Sequence, residues 1–149
     1  GAVAAREFFS AKLGSLGVCV AVADSDELAA QKKIALKELK GRSFIGIDED
    51  QMPGRNQWMS TLGKAAGFKP RFAVVVDGIT NVLSLVASEN AVTLLPSYFQ
   101  EFKHPGVAFV PVSDSGAKWD FIVLWQRGKV PASTRALVHE LKESAARFA

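Results

Sequence analysis

The sequence has 149 residues, 48% of them hydrophobic and 22% charged, with 12 Gly and 6 Pro. This is the composition of one ordinary globular domain, which excludes intrinsic disorder and collagen-like repeats. Eighteen Lys and Arg residues against fifteen Asp and Glu give a formal charge of +3, too small an excess to indicate a nucleic-acid-binding segment. The sequence has no apolar run that could span a membrane, no secretory signal and one cysteine, Cys19, so we expect a cytoplasmic protein.

The first third of the chain predicts one strand and one ambiguous segment. Residues 16–22 form an apolar run that predicts a strand, within which Cys19 behaves as a small hydrophobic residue. Residues 27–39 have a periodicity that favours a helix, but an extended piece followed by a short turn at residues 36–39 fits equally well.

The stretch from residue 43 to residue 96 is the most informative part of the sequence. Three apolar runs, at 44–47, 72–76 and 91–95, alternate with two segments of helical periodicity. The run at 72–76 is apolar throughout, which is typical of a strand buried on both faces. Strand, helix, strand, helix and strand with short connections form a βαβαβ unit. We therefore predict an α/β fold with an open, mostly parallel sheet flanked by helices.

Capping residues define the two helices of this unit. Asn56 can cap the first helix, and Gly67 followed by Pro70 predicts its end. Thr80 or Asn81 can start the second helix. Two more strands are predicted at 107–112 and 119–125. A final helix opens at Pro131, and its apolar stripe consists of Leu137, Val138, Leu141, Ala145 and Phe148.

The loops that follow the three parallel strands predict the functional edge of the fold. In open parallel sheets, ligands bind beyond the carboxyl ends of the strands. Here those ends lead into residues 48–56, 77–81 and 96–98, which together we call the rim. In the first loop, free backbone N–H groups at a helix N-terminus and the cation of Arg55 form a candidate anion receptor. The alternative for Arg55 is a surface side chain beside an ordinary helix cap. The predicted ligand-binding residues are Pro53, Gly54, Arg55, Asn56, Thr80, Asn81 and Ser97.

Acidic side chains at the rim offer an enzymatic alternative. Residues 48–50 are Asp-Glu-Asp, and Asp77 follows the next strand. Carboxylates at adjacent strand ends can hold Mg²⁺, as in phosphoryl-transfer domains. The Lys and Ser/Thr that this chemistry requires do not follow in the expected places. His104 and His139 lack metal-ligand spacing, and no nucleophile or phosphate-loop motif occurs. We expect a binding module with no catalytic residue, metal or cofactor.

Several short motifs, taken in order, resemble LysR-type transcriptional regulators. They are VCVAVADSDELAAQKKIALKELKGRSFI, GRNQWMSTLGKAAGFKP, LSLVASENAVTLLP, VAFVPV and WDFIVLWQRG, and the resemblance runs from residue 13 to residue 148. The similarity is to the carboxyl-terminal part of the family's effector-binding domain, which has the two-lobed fold of type 2 periplasmic binding proteins. Residues 26–29 depart from the family's His-Pro-Leu-Ala turn. Residues 88–91 lack the usual glycines, although Asn90 can supply the positive φ that such a turn needs.

The resemblance implies a domain organisation and a function. It implies a single partial effector-binding domain over residues 1–149, truncated at its amino terminus. The complete second lobe would lie at 23–112, and residues 1–22 and 113–149 would be crossover strands and a remnant of the first lobe. A small effector, such as a carboxylate, would bind and change how subunits pack. DNA would be bound only by a winged helix-turn-helix domain absent from this sequence. Self-association through exposed apolar surface or strand edges is implied as well. A solute-binding protein of the same fold is the alternative.

Overall fold

The computed structural model describes residues 8–126 and 131–147. The chain divides into two compact units, one formed by Gly17–Ala117 and the other by Gly1–Leu16 together with Lys118–Ala149. Within the described residues there are seven strands and three α-helices. The strands are β1 (Phe8–Leu16), β2 (Val18–Ala23), β3 (Ser43–Ile47), β4 (Arg71–Val76), β5 (Thr93–Pro96), β6 (Val107–Pro111) and β7 (Trp119–Gln126), and the helices are α1 (Arg55–Ala65), α2 (Ile79–Glu89) and α3 (Ala132–Arg147).

The three strands of the predicted βαβαβ unit lie side by side, with β3 in the middle. β3 pairs in parallel with β4, and Phe44 forms a parallel bridge to Val92, just before β5. Across this bridge the amide of Ile45 donates to the carbonyl of Val92 at 2.9 Å. Beyond it, β5 pairs antiparallel with β2, and β2 pairs antiparallel with β6. The α/β class and the parallel three-strand arrangement are confirmed, and two antiparallel pairings extend them.

The two helices of the unit pack on opposite faces of these strands. Alternate residues of β2 point to opposite sides, so Val20 and Cys19 belong to different apolar clusters. Met59 of α1 lies in the first cluster and Val86 of α2 in the second. Cys19 is fully buried, and burial raises the pKa of its thiol to about 12. Its predicted behaviour as a small hydrophobic residue is confirmed.

The first helix ends where the sequence predicts, whereas the predicted start of the second at Thr80 or Asn81 was wrong, because α2 begins at Ile79 after Gly78, whose φ is +75°. After α1, Gly67 has a φ of +88°, and the amide of Phe68 donates to the carbonyl of Gly63 at 2.9 Å. This is the hydrogen-bond pattern of a Schellman motif, which needs a left-handed residue after the helix. At the end of α2, Asn90 has a φ of +52° and supplies the left-handed conformation that ends the helix.

The exposure of β4 contradicts one prediction. Its apolar sequence predicts a strand buried on both faces, but Val74 is 38% exposed and Val75 50%. Within the described part of the chain, β4 pairs with β3 alone and forms the edge of the sheet. The prediction was wrong because β-branched residues favour a strand without specifying whether a neighbour covers it.

The segment at residues 27–39 follows the second of its two alternatives. It consists of two short 3₁₀ helices, Glu27–Ala30 and Leu36–Leu39, joined by an extended piece in which Ile34 bridges to Val112. Asp26 caps the first of these helices and forms an ion pair with Arg42. The hydrogen bond from this guanidinium lowers the pKa of the Asp26 carboxyl.

In the smaller unit, β1 pairs antiparallel with β7, with a register shift between Lys12 and Gly14. In α3, Val138 is buried whereas Leu137 is 59% exposed, so only part of the predicted apolar stripe is covered. Phe148, the last member of that stripe, lies outside the described residues. Across residues 8–126 and 131–147, no helix combines the length and the apolar character needed to cross a membrane.

Candidate functional site

The first loop of the rim connects β3 to α1 through a left-handed glycine. Gly54 caps the helix with a φ of +82°, and α1 begins at Arg55. Asn56, the predicted cap, lies one position inside the helix. Its side-chain oxygen accepts from the amide of Ile47 at 3.0 Å, and its side-chain nitrogen donates to the carbonyl of Ile47 at 2.7 Å. The capping prediction for Asn56 was wrong, because its amide group ties the first turn of α1 to the end of β3.

The N-terminus of α1 already holds a carboxylate from the chain itself. The side chain of Glu49 accepts one hydrogen bond from the amide of Gly54 and another from the amide of Asn56, the latter at 3.1 Å. These are N–H groups that the sequence predicts to be free for a ligand. An acidic side chain at a helix N-terminus is favourable because it compensates the positive end of the helix dipole. The free-amide part of the predicted receptor is therefore corrected: Glu49 occupies it.

Arg55 is a core residue, which contradicts the surface alternative. Its side chain is 1% exposed, and its Nη2 donates to Thr93 Oγ1 at 2.9 Å and to the carbonyl of Leu94 at 2.7 Å. Its Nε and Nη1 have no hydrogen-bond partner among the described residues. A buried charged donor without a partner is costly, so such groups are rare in proteins.

The charge of Arg55 persists at neutral pH despite this burial. Burial lowers the pKa of the guanidinium to about 10, and the electrostatic influence of Glu49 and Tyr98 acts in the opposite direction. A pKa of about 10 leaves the group protonated under physiological conditions. The fold thus holds a positive charge beside β5, and Nε and Nη1 of this guanidinium have no hydrogen-bond partner among the described residues.

Thr93 positions this guanidinium, and the sequence analysis missed it. Its hydroxyl is fully buried, donates to the carbonyl of Ile45 at 3.0 Å and accepts from Arg55. The signal was present, because Thr93 is the one polar residue in the apolar run 91–95. A polar side chain in a buried strand needs a partner, and here the partner is the cation.

The remaining predicted ligand-binding residues lie at the rim. Among the described residues, none of them forms a hydrogen bond with Arg55. Pro53 is exposed in the first loop. Thr80 and Asn81 are exposed in the first turn of α2, where the side chain of Asn81 donates to the carbonyl of Asp77 at 2.9 Å. Ser97 follows β5, and its amide donates to the carbonyl of Gly17 at 2.9 Å. Their roles as ligand-binding residues stay predictions.

An aromatic surface adjoins the third loop of the rim. Tyr98 is 44% exposed and Phe102 is 56% exposed. Both rings contact Phe99, with centroid distances of 4.8 Å and 5.2 Å. Tyr98 is close enough to Arg55 to influence its pKa. The exposed rings of Tyr98 and Phe102 therefore form an aromatic surface together with Phe99.

The acidic residues of the rim do not converge on a cation site. An oxygen of Asp48 accepts from the amide of Asp50 at 2.9 Å, Glu49 caps α1, and the Asp77 side chain accepts from Asn81 at 3.3 Å. The part of the chain that the structure describes contains no group of three or more His, Cys, Asp or Glu residues arranged to hold a metal. The geometry thus gives no support to the Mg²⁺ alternative.

The parallel three-strand core with helices on both faces places the chain in the α/β class. Residues 1–146 match the family model described as the LysR substrate binding domain, and the chain belongs to that family. This confirms the family suggested by the sequence motifs, and it agrees with the prediction of a binding module rather than an enzyme.

Two curated relatives are transcriptional regulators. The chain is 29% identical over 83 residues to the HTH-type transcriptional regulator TfdS of Cupriavidus pinatubonensis, covering 56% of this chain and 28% of that protein. It is 24% identical over 120 residues to the Hca operon transcriptional activator HcaR of Escherichia coli, covering 78% of this chain and 39% of that protein. The chain therefore spans less than half the length of these relatives.

Solved structures show the same fold. A crystal structure of CbnR, a LysR family transcriptional regulator, superimposes with a TM-score of 0.79 at 22% identity, covering 93% of this chain and 48% of CbnR. The BenM effector binding domain with its effector benzoate also gives a TM-score of 0.79, at 18% identity, covering 95% of this chain and 64% of that one. At these identities the likeness establishes the architecture, and the predicted effector-binding-domain fold is confirmed.

Proposed function

We propose that this chain is the ligand-sensing module of a LysR-type bacterial transcriptional regulator and that its ligand is a small carboxylate. Family membership supports a sensing role, and BenM provides a relative in fold whose effector is the carboxylate benzoate. Residues 23–112 would form the complete second lobe, and the remainder would belong to the crossover strands and the first lobe. The full regulator would act in the cytoplasm and contact DNA through a separate winged helix-turn-helix domain.

The observation that carries this proposal is the unpaired side of Arg55. Within residues 8–126 and 131–147, its buried Nε and Nη1 have no hydrogen-bond partner, and its Nη2 donates to Thr93 and Leu94. A guanidinium presents its N–H groups in a planar fork that matches the two oxygens of a carboxylate. A bound carboxylate would give these donors the partners that the described chain does not provide.

The rim would supply the rest of the binding surface. The amides of Gly54 and Asn56 are not assigned to the ligand, because the carboxylate of Glu49 accepts hydrogen bonds from both. Pro53, Thr80, Asn81 and Ser97 would line the same edge. The exposed rings of Tyr98 and Phe102 would accommodate the apolar part of an aromatic or aliphatic acid.

Ligand binding would act by stabilising one arrangement of the domain over another. A ligand shifts such an equilibrium only by its difference in affinity for the two states. We propose that this difference alters how copies of the chain pack together, and that no reaction is catalysed. The exposed edge of β4 supports self-association, because unpaired strand edges with apolar side chains are ready pairing surfaces.

Isothermal titration with benzoate and a panel of aliphatic carboxylates tests the proposal. We expect saturable binding by the wild type and loss of binding by Arg55→Met. Arg71→Met is the matched control, because Arg71 is an exposed arginine whose Nη2 donates to Ser43 Oγ at 3.0 Å. Equal binding by the wild type and Arg55→Met would refute the role of Arg55. Absence of binding for every acid in the panel would refute the carboxylate ligand.

A further inference from the structure

A cavity lies on the outer face of α1, apart from the rim. Its volume is about 790 Å³, which is within the range of small-molecule sites. It is lined by one face of α1 and by the turn that follows the helix: Gln57, Ser60, Thr61, Lys64, Gly67, Phe68 and Lys69. None of the residues predicted to bind a ligand at the rim belongs to this set, so the cavity is distinct from the site described above.

The helical side of the cavity is polar because of its position on α1. The lining residues of the helix lie three or four positions apart, at 57, 60, 61 and 64, and therefore share one face. The opposite face of α1 is apolar, with Met59 and Leu62 buried in the first apolar cluster. The cavity thus meets hydroxyl, amide and ammonium groups along two turns of the helix.

The turn after α1 is fixed in place and forms the other side of the cavity. A Cβ at Gly63 would lie 2.6 Å from Cδ of Pro70, so the chain that follows the turn packs directly against the helix. Pro70 is buried, and the preceding residue, Lys69, is exposed and lines the cavity. The backbone that carries Lys69 is therefore held at the cavity without a ligand.

Phe68 gives the cavity an aromatic wall. Its ring lies 6.1 Å from the ring of the buried Phe44, measured between centroids, and it packs against the first apolar cluster. The side chain is only half-buried, and it lines the cavity as well. A flat apolar group can therefore contact a ring whose other contacts are fixed by the core.

The charge of the cavity is positive. Lys64 and Lys69 both line it, and its lining includes no carboxylate. Among residues 8–126 and 131–147, neither ammonium group forms an ion pair or a hydrogen bond. Both cations are exposed, so an anion can reach them from solvent.

We propose that this cavity binds a small organic phosphate, a monoester with a flat apolar body. Lysine binds a phosphate as a point charge, whereas the planar fork that pairs with a carboxylate belongs to arginine. Two ammonium groups match the charge of a phosphate monoester, which approaches −2 at neutral pH. The ring of Phe68 would contact the apolar body. The proposal does not depend on the carboxylate ligand proposed for the rim.

Titration of the ¹⁵N-labelled chain with phenyl phosphate, followed by NMR at about pH 8, gives the first test. We expect saturable shifts centred on the backbone amides of Gly67, Phe68 and Lys69. Phenol lacks the phosphate and inorganic phosphate lacks the ring. Each should therefore bind at least about fivefold more weakly than phenyl phosphate.

Substitutions in the lining give the second test. Lys64→Met and Lys69→Met should each weaken phenyl phosphate binding about fivefold, on the order of one charge contact in water. Lys33→Met is the matched control, because it removes the same charge from an exposed lysine outside the cavity, and it should change binding less than about twofold. Thr61→Glu places a carboxylate in the cavity and should abolish saturable binding. Thr61 is exposed on α1 and glutamate favours a helix, so this variant should unfold at the same urea concentration as the wild type.

The outcomes separate this inference from the proposal for the rim. Unchanged phenyl phosphate binding by Arg55→Met supports the cavity, even where benzoate does not bind the wild type. Shifts centred on Gly54 and Asn56, or loss of binding in Arg55→Met, would place the phosphate at the rim and overturn the inference. Equal weakening by Lys33→Met and the lining variants would reveal unspecific attraction and overturn it too. Absence of saturable binding by the wild type would have the same consequence.

Discussion

Replacing Arg55 by methionine is predicted to leave the fold nearly as stable as the wild type while abolishing carboxylate binding. Burial lowers the pKa of the guanidinium from its ordinary value to about 10. At about 1.4 kcal/mol for each pH unit, this difference means that the charge costs the folded state about 3 kcal/mol. Methionine removes this cost, but it leaves the carbonyl of Leu94 without the hydrogen bond that Nη2 donates. An unsatisfied buried acceptor costs about 1–3 kcal/mol. The two effects oppose each other, so we expect the free energy of unfolding to change by less than about 2 kcal/mol.

The sign of the pH dependence gives an independent check. Because the folded-state pKa of Arg55 lies below the unfolded value, the unfolded chain binds more protons in a window that opens at about pH 10. The free energy of unfolding therefore rises as the pH rises through that window, because the folded chain loses the buried charge. Below the window Arg55 is charged and this gain is absent. Throughout the neutral range the cost is present in full, and Arg55→Met should remove it equally at pH 6 and pH 9 (roughly the range in which Arg55 stays charged).

Urea unfolding followed by tryptophan fluorescence measures this effect, with and without benzoate. A ligand at about 100 times its dissociation constant should stabilise the wild type by about 2.7 kcal/mol and the variant not at all. Arg71→Met should behave as the wild type in both respects. A loss of 4 kcal/mol or more in Arg55→Met, on the order expected for a broken buried ion pair, would show that Arg55 is a structural residue and would refute the reasoning.

Two further predictions concern the fold, and a third concerns self-association. Cys19 should resist alkylation by iodoacetamide in the native protein and react only after unfolding, because it is buried and its pKa is about 12. Gly63→Ala should destabilise the protein by at least about 2 kcal/mol in urea unfolding, whereas Gly116→Ala should not, because a Cβ at Gly63 would lie 2.6 Å from Cδ of Pro70 and one at Gly116 meets open space. Val75→Lys should lower the apparent mass in size-exclusion chromatography with light scattering, since a charge on an exposed edge strand opposes pairing. An unchanged mass would place self-association elsewhere.

The parts of the fold that were predictable are those with local causes. Gly67 and Asn90 specify helix ends through their backbone conformation, which depends on few neighbours. The parallel order of β3, β4 and the strand that includes Val92 follows from the alternation of strands and helices. The exposure of β4 was not predictable, because it depends on which strands find partners and not on the composition of the strand itself.

The candidate site also combines features that the sequence predicts with features that depend on tertiary contacts. The sequence identifies Arg55 by its position after a strand and before a helix, but not its burial, which depends on the distant Thr93 and Leu94. Glu49 was considered only as a metal ligand, because its distance of five residues from Gly54 matches no common capping box. Its actual role depends on the path of the loop, and loop geometry is specified by tertiary contacts that a single sequence does not display.

The incomplete pairing of Arg55 is what the ligand-sensing proposal requires of its site. A carboxylate in direct contact would stabilise this buried cation, but Glu49 binds backbone amides instead. In the proposed sensor, the donors of Arg55 that have no partner among the described residues would contribute binding free energy once a ligand supplies that partner. A sensor needs such a difference between its free and bound states, because a site already satisfied by its own side chains has no affinity left with which to shift an equilibrium.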